Sequence, residues 1–285
     1  MGPSARILPD GNRMHLQHGP IDLVIGVDGD QSTAFRAAHD RFATILDELV
    51  AELPSLRSAI SEKTATPKGT VARRMHAAAL PHSTVFVTPM AAVAGAVADE
   101  VLAAMRAAAE MSRAYVNNGG DIALHLTPGT TFTLAMQTHA GEDLGRVKVG
   151  AEDNVGGIAT SARHGRSLSM GIADSVTILA ASAAQADIAA TLVANEVDLA
   201  NHPAIQRRPA CDLIDDTDLG DRAVVVSCGK LSPKDSQTAL QKALHRAEDM
   251  RTDALITDAA LFLQGAYATT SNRRFQIAMH ETEYA

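Results

Sequence analysis

Apolar residues recur along this chain with two different periods, and the changes of period mark its elements. Over residues 13–18 and 21–28 they fall at every second position, as in strands with one buried face, with Gly19-Pro20 as the turn between them. After Asp28-Gly29 the period becomes helical: Phe35, Phe42, Leu46 and Leu49 line one side of residues 32–53, and Pro54 closes the segment. Thr70 is placed to cap a second helix reaching about residue 80, and Pro89 opens a long third helix whose first turns are built from small residues. From Arg113 strands return over 115–118, 122–126, 131–138, 146–149 and 175–180. A helix follows over 183–199, then a strand over 224–226, a helix over 233–250, and closing strands over 261–268 and 274–279. Strands grouped in hairpins with helices in longer excursions predict an α+β fold, helices packed on a largely antiparallel sheet. No repeat of 20–50 residues is visible, and residues 1–285 read as one domain with room for two subdomains.

Composition narrows the function. Of the 285 residues 46% are hydrophobic and 20% charged, which excludes disorder along the whole chain. Lys plus Arg number 25 against 33 Asp plus Glu, a net charge of −8, so a broad nucleic-acid or anionic-membrane surface is not expected. There is no Trp, and six Phe and three Tyr are too few for a base-stacking platform. Cys211 and Cys228 make neither a disulfide framework nor a four-thiolate zinc site. The first 13 residues lack the apolar stretch of a secretory signal. The apolar segments 90–109 and 176–194 carry Asp99, Glu100 and Arg106, and Gln185 and Asp187, so neither reads as a membrane span. A soluble, cytoplasmic protein is expected, and its Ala-rich surface leaves room for a homodimer.

Three clusters could carry chemistry. In Asn117-Asn118-Gly119-Gly120-Asp121 the glycines can take positive φ, bring backbone N–H groups to an anion and present Asp121 at the tip. The same letters also fit a tight hairpin whose Asn and Asp satisfy local backbone groups. Residues 156–167 place Thr160, Ser161, His164, Arg166 and Ser167 in a glycine-punctuated loop, a donor set suited to phosphate, or an ordinary solvated loop. Asp187 and Thr191 lie one above the other on one helix face, where a carboxylate and a hydroxyl with room for water could bind Mg²⁺. Their bland alternative is a carboxylate favoured by the helix dipole and a hydroxyl bonded back to the backbone. The acidic run from Asp212 to Asp221 lacks the mid-loop Gly and terminal Glu of a calcium loop and reads as solvated.

In series, these pieces resemble the ApbE-like superfamily of FAD:protein FMN transferases. The motifs are Val-Asn-x-Gly-Gly-Asp-Ile at 116–122, Ala-Thr-Ser at 159–161, Asp-Ser-Val-Thr-Ile-Leu-Ala at 174–180 and Ala-Asp-x-x-Ala-Thr at 186–191. Segments 8–16, 19–24, 88–95 and 167–174 extend the resemblance to a cytoplasmic branch of that superfamily. It implies a T-fold-like architecture with a ligand cleft, and an enzyme acting with Mg²⁺ on a flavin (FAD or FMN), a pterin or a related nucleotide-like ligand. In it Asp187 and Thr191 hold the metal. Asn117, Asn118, Gly119, Gly120, Asp121, Thr160 and Ser167 hold the ligand, and Ser161, His164 and Arg166 surround the reacting group. The superfamily's His-x-x-Asp-Pro-x-x-Gly stretch is replaced here by residues 162–173, which contain no Asp-Pro. That departure weighs against flavin transfer itself and keeps open a non-catalytic flavin- or pterin-binding carrier.

Overall fold

The structure, a computed structural model, describes residues 2–278. Its frame is a nine-stranded sheet in the order β1 (Ser4–Ile7), β2 (Arg13–His18), β3 (Ile21–Gly29), β4 (Met111–Asn118), β5 (Asp121–Leu126), β8 (Gly157–Ser161), β9 (Ser175–Ala180), β12 (Asp258–Leu263) and β13 (Ala266–Thr269). A three-stranded sheet of β6 (Thr131–Gln137), β7 (Asp143–Gly150) and β14 (Phe275–Ile277) and a ribbon of β10 (Ile205–Pro209) and β11 (Ala223–Cys228) complete the strands. The helices are α1 (Gln31–Ala51), α2 (Leu53–Leu56), α3 (Thr70–Ala79), α4 (Val93–Ala108), α5 (Ala183–Glu196) and α6 (Pro233–Thr252). Every strand pairing among the described residues is antiparallel, as the hairpin pattern predicts.

The strand period of two sorts the sheet's side chains between two cores. Ala123, Ala159, Ile178 and Leu261 face the helices, while Ile122, Ile158, Leu179 and Phe262 face the three-stranded sheet, packed with Val147, Val149 and Phe275. The main sheet also shows a duplication that the sequence hides. With α2 and α3 set aside in the first half and the β10–β11 ribbon in the second, the run β2-β3-α1-α4-β4-β5 and the run β8-β9-α5-α6-β12-β13 have the same order of elements, each with its four strands side by side in sequence order. The two runs meet at β5 and β8, where Ile122 pairs with Ile158.

Several expectations are corrected. Thr70 is the first helical residue of α3 rather than its cap, which is Gly69; its hydroxyl donates to Glu100 Oε1 at 2.7 Å instead. The strand expected over 261–268 is a hairpin, folded where Gln264 and Gly265 take positive φ, because apolar alternation continues through the turn. Residues 157–161 are strand β8, not loop. Gly157 has a packing reason: a Cβ there would stand 2.2 Å from the Ala183 backbone nitrogen. Strand β1 is exposed along its whole length and β10 is mostly polar, so neither has a legible buried face. The strand expected over 274–279 is found over 275–277; Met279 lies outside the described residues.

Helices α4 and α5 approach with their N-termini together. A Cβ on Gly95 would meet the Ala183 carbonyl oxygen at 2.2 Å, so Gly95→Ala must push the helices apart. We expect a loss of about 1–3 kcal/mol in urea unfolding. A second test concerns His82, buried in a short turn over Leu80–His82, whose imidazole is pushed down to about 4 by burial, assisted by the Arg246 charge. The unfolded chain therefore takes up this proton before the folded one does. The stability His82 supports is whole above pH 6.5 and lost as pH falls towards 4. His82→Gln should flatten the fall of the urea midpoint over that window.

Candidate functional site

Strand alternation puts Asp121 on the same side of β5 as Ala123, towards the helices. The turn before it needs its glycines: Gly119 and Gly120 have φ of +67° and +116°. The Gly120 N–H is not free for an anion, because it donates to Asn117 Oδ1 at 2.9 Å, and Asn118 Nδ2 donates to the Ala94 carbonyl at 3.1 Å, tying the turn to α4. The Asn side chains thus satisfy local and neighbouring backbone groups, as the hairpin alternative predicts.

Asp187 projects from α5 to the start of α4, where its Oδ2 accepts the Gly95 N–H at 2.9 Å and its carboxylate also accepts from Ala94. Asp99, on α4, does the same in reverse: its two oxygens accept the N–H groups of Ala183 and Ala184 at 3.0 and 2.9 Å. Each helix caps the other, and each carboxylate takes up N–H groups that a helix start leaves without intrahelical partners.

Beside this helix pair lies a cleft of about 370 Å³, lined by Asp121, Asp187 and Thr191, by Arg166 and Ser167, and by Met90, Val93 and Ala94; Gly119 and Gly120 are not among its lining residues. Three elements separated in sequence therefore share one hollow. Burial raises the Asp121 carboxyl to about 7, against a backbone hydrogen bond from Thr160 and the Arg166 charge. Burial also raises Asp187 well above the usual carboxylate range, and the neighbouring Asp121 charge raises it further. Two carboxylates of this kind are best satisfied by a proton or a cation between them. Among the described residues no group of three or more His, Cys, Asp or Glu is arranged to hold a metal ion. Two carboxylates and the Thr191 hydroxyl fit a cation that keeps most of its ligands as water or substrate oxygens, which is the habit of Mg²⁺.

The other expected residues divide. Arg166 lies over the turn, its guanidinium nitrogen 2.6 Å from where a Gly119 Cβ would stand, and Ser167 is beside it on the cleft wall. Thr160 and Ser161 end strand β8; the Thr160 hydroxyl shares a hydrogen bond with Thr177 Oγ1 at 3.0 Å. His164 does not line the cleft. Its ring stacks on His139 with centroids 6.0 Å apart, and burial and the Arg163 charge lower its pKa.

The sequence reading missed the far wall. The acidic segment contributes Ile214, Asp216, Thr217, Asp218 and Leu219 to the cleft. It is held there by an ion pair of Asp216 with Arg57, a hydrogen bond from the Thr88 hydroxyl to Asp218 and the Arg222 guanidinium over the Phe86 ring. The signal was present in the apolar Ile214 and Leu219 set among the acids, which a fully solvated loop does not need.

A family model described as AbpE bacteria matches residues 5–269. The chain belongs to that ApbE-like family. It is 32% identical over 257 residues to the UPF0280 protein of Methanopyrus kandleri, covering 88% of this chain and 87% of that one. It is 38% identical over 112 residues to the UPF0280 protein of Methanocaldococcus jannaschii, covering 38% and 44%. Among solved structures, the apo form of the Pseudomonas stutzeri flavinyl transferase ApbE is similar with a TM-score of 0.45 and 12% identity, covering 95% of this chain and 94% of that one. No helix among the described residues is long and apolar enough to cross a membrane.

The raised Asp121 sets a stability test. The unfolded carboxyl ionises near 3.8 and the folded one near 7, so folding loses stability as pH rises through that window, and the loss is complete above it. Asp121→Asn keeps an acceptor for the Thr160 N–H and removes the charge. It should unfold at higher urea than the unsubstituted protein at pH 8, by on the order of 1–2 kcal/mol, with no difference near pH 4.

Proposed function

We propose that this protein is a cytoplasmic enzyme of the ApbE-like type acting on a phosphorylated, nucleotide-like ligand, a flavin such as FAD or FMN or a pterin, with Mg²⁺ held by Asp187 and Thr191. The observation that carries the reading is the pair of mutually repelling carboxylates, Asp121 and Asp187, in one cleft with the Arg166 guanidinium on its wall. When bound there, Mg²⁺ supplies charge neutralisation to phosphate oxygens during displacement at phosphorus. The protein's own part is positional. The Gly95 N–H holds Asp187 Oδ2, the Thr160 N–H orients Asp121, and Arg166 with Ser167 offers donors to a phosphate.

A carrier that binds such a ligand without turning it over is the second reading. It is favoured by His164, which packs on His139, so that among the described residues no imidazole lines the cleft to accept a proton. Incubation with FAD and Mg²⁺, followed by measurement of AMP release, separates the two. The enzyme reading expects AMP release that Asp187→Asn reduces by at least about 100-fold, with far-UV circular dichroism unchanged because Asn still accepts the Gly95 N–H. Mg²⁺-dependent FAD binding without AMP release supports the carrier, and no binding of FAD, FMN or a pterin contradicts both.

A further inference from the structure

A second cavity, of about 530 Å³, runs between α1 and α4 and joins the acidic cleft: Met90, Val93, Ala94, Arg166 and Ser167 line both. Its walls are aliphatic, with Leu46 and Leu49 from α1, Leu53 from α2, Ile21 from β3, and Val93 and Val97 from α4. Among the described residues no aromatic ring lines it. Of its four polar side chains two are committed elsewhere, Asn118 Nδ2 donating to the Ala94 carbonyl and Arg57 ion-paired with Asp216, and the other two, Arg166 and Ser167, are the ones it shares with the acidic cleft. A heteroaromatic ring in this trench would leave its polar edge unpaired, at a cost of desolvation; a hydrocarbon chain would leave nothing unpaired. Val50, 57% exposed, is an apolar lining residue that such a chain would cover. At the shared mouth stands Arg166, whose guanidinium lies over Gly119, acts on the Asp121 carboxyl and is placed to meet an anion entering there.

From this complementarity we propose a second ligand subsite: the trench takes the aliphatic chain of an anionic amphiphile, a hydrocarbon phosphate ester, whose phosphate rests on Arg166 and Ser167. The subsite goes beyond the flavin or pterin reading in its chain site, which lies apart from the carboxylate pair; its phosphate site, Arg166 and Ser167, is the one that reading also uses.

The test is calorimetric titration of the full chain with straight-chain alkyl phosphates from butyl to decyl, below micelle formation and without Mg²⁺ or FAD. Affinity should rise by up to about fourfold for each added methylene until the trench is full. Arg166→Gln should weaken every chain length by a similar factor. Val50→Glu, at an exposed position, should remove the gain of the longer chains and leave butyl phosphate unchanged. Affinity independent of chain length overturns the proposal. So does one-for-one displacement of decyl phosphate by riboflavin, which makes the trench a ring site. A dimer seen by light scattering that excludes decyl phosphate also overturns it, since the trench is then an interface between copies. With neither Mg²⁺ nor FAD present, failure of AMP release leaves this result untouched, and the reverse holds too.

Discussion

The site depends on an exchange of carboxylates between two helices. Asp99 of α4 takes up the first N–H groups of α5, and Asp187 of α5 takes up N–H groups at the start of α4, across a contact so close that only Gly fits at position 95. Each acid lies among neutral donors and the positive end of a dipole rather than beside a paired cation. For Asp99 that arrangement is structural: it fixes where α5 begins. For Asp187 it leaves the carboxylate anchored on one side and facing the cleft on the other, so the helix pair positions the chemistry without a loop having to do so.

What the helices position is an electrostatic conflict. Asp121 arrives from the sheet and Asp187 from a helix, and the charge of one raises the pKa of the other in a partly dehydrated hollow. Burying two like charges works against stability unless something that binds there is stabilised in return. In the function we propose, a divalent cation with a phosphate ligand would meet that demand: the metal would answer the acids, and Arg166 and Ser167 the phosphate. The outer wall is lent by the 212–221 segment, itself acidic, held by Arg57, Thr88 and Arg222 over a distance no local pattern records.

The sequence showed the parts of this site more readily than their assembly. The Gly-Gly turn put Asp121 at its tip, one residue before a strand, and helical spacing put Asp187 and Thr191 on one face; both follow from local geometry. Asp99 was legible only as a charge that forbids a membrane span, because its role requires a helix start 84 residues away. The glycines at 156 and 157 looked like a phosphate loop, yet Gly157 serves close packing against α5. His164 was drawn towards the site by its neighbours Ser161 and Arg166, but a loop residue's direction is set by tertiary contacts, here His139. The duplicated order of elements left no trace in the letters, since two sheet–helix layers can share a topology while differing at every exposed position.

The claim that Asp121 and Asp187 form one cation-seeking pair is tested most directly by carboxyl-carbon NMR of aspartate-labelled protein, with Asp121 assigned by its loss in Asp121→Asn. In the metal-free protein the Asp121 signal should titrate near 7, and saturating Mg²⁺ should move that titration down by two pH units or more, to below about 5. A signal that titrates near 4 without metal, or whose titration Mg²⁺ leaves in place, contradicts the account.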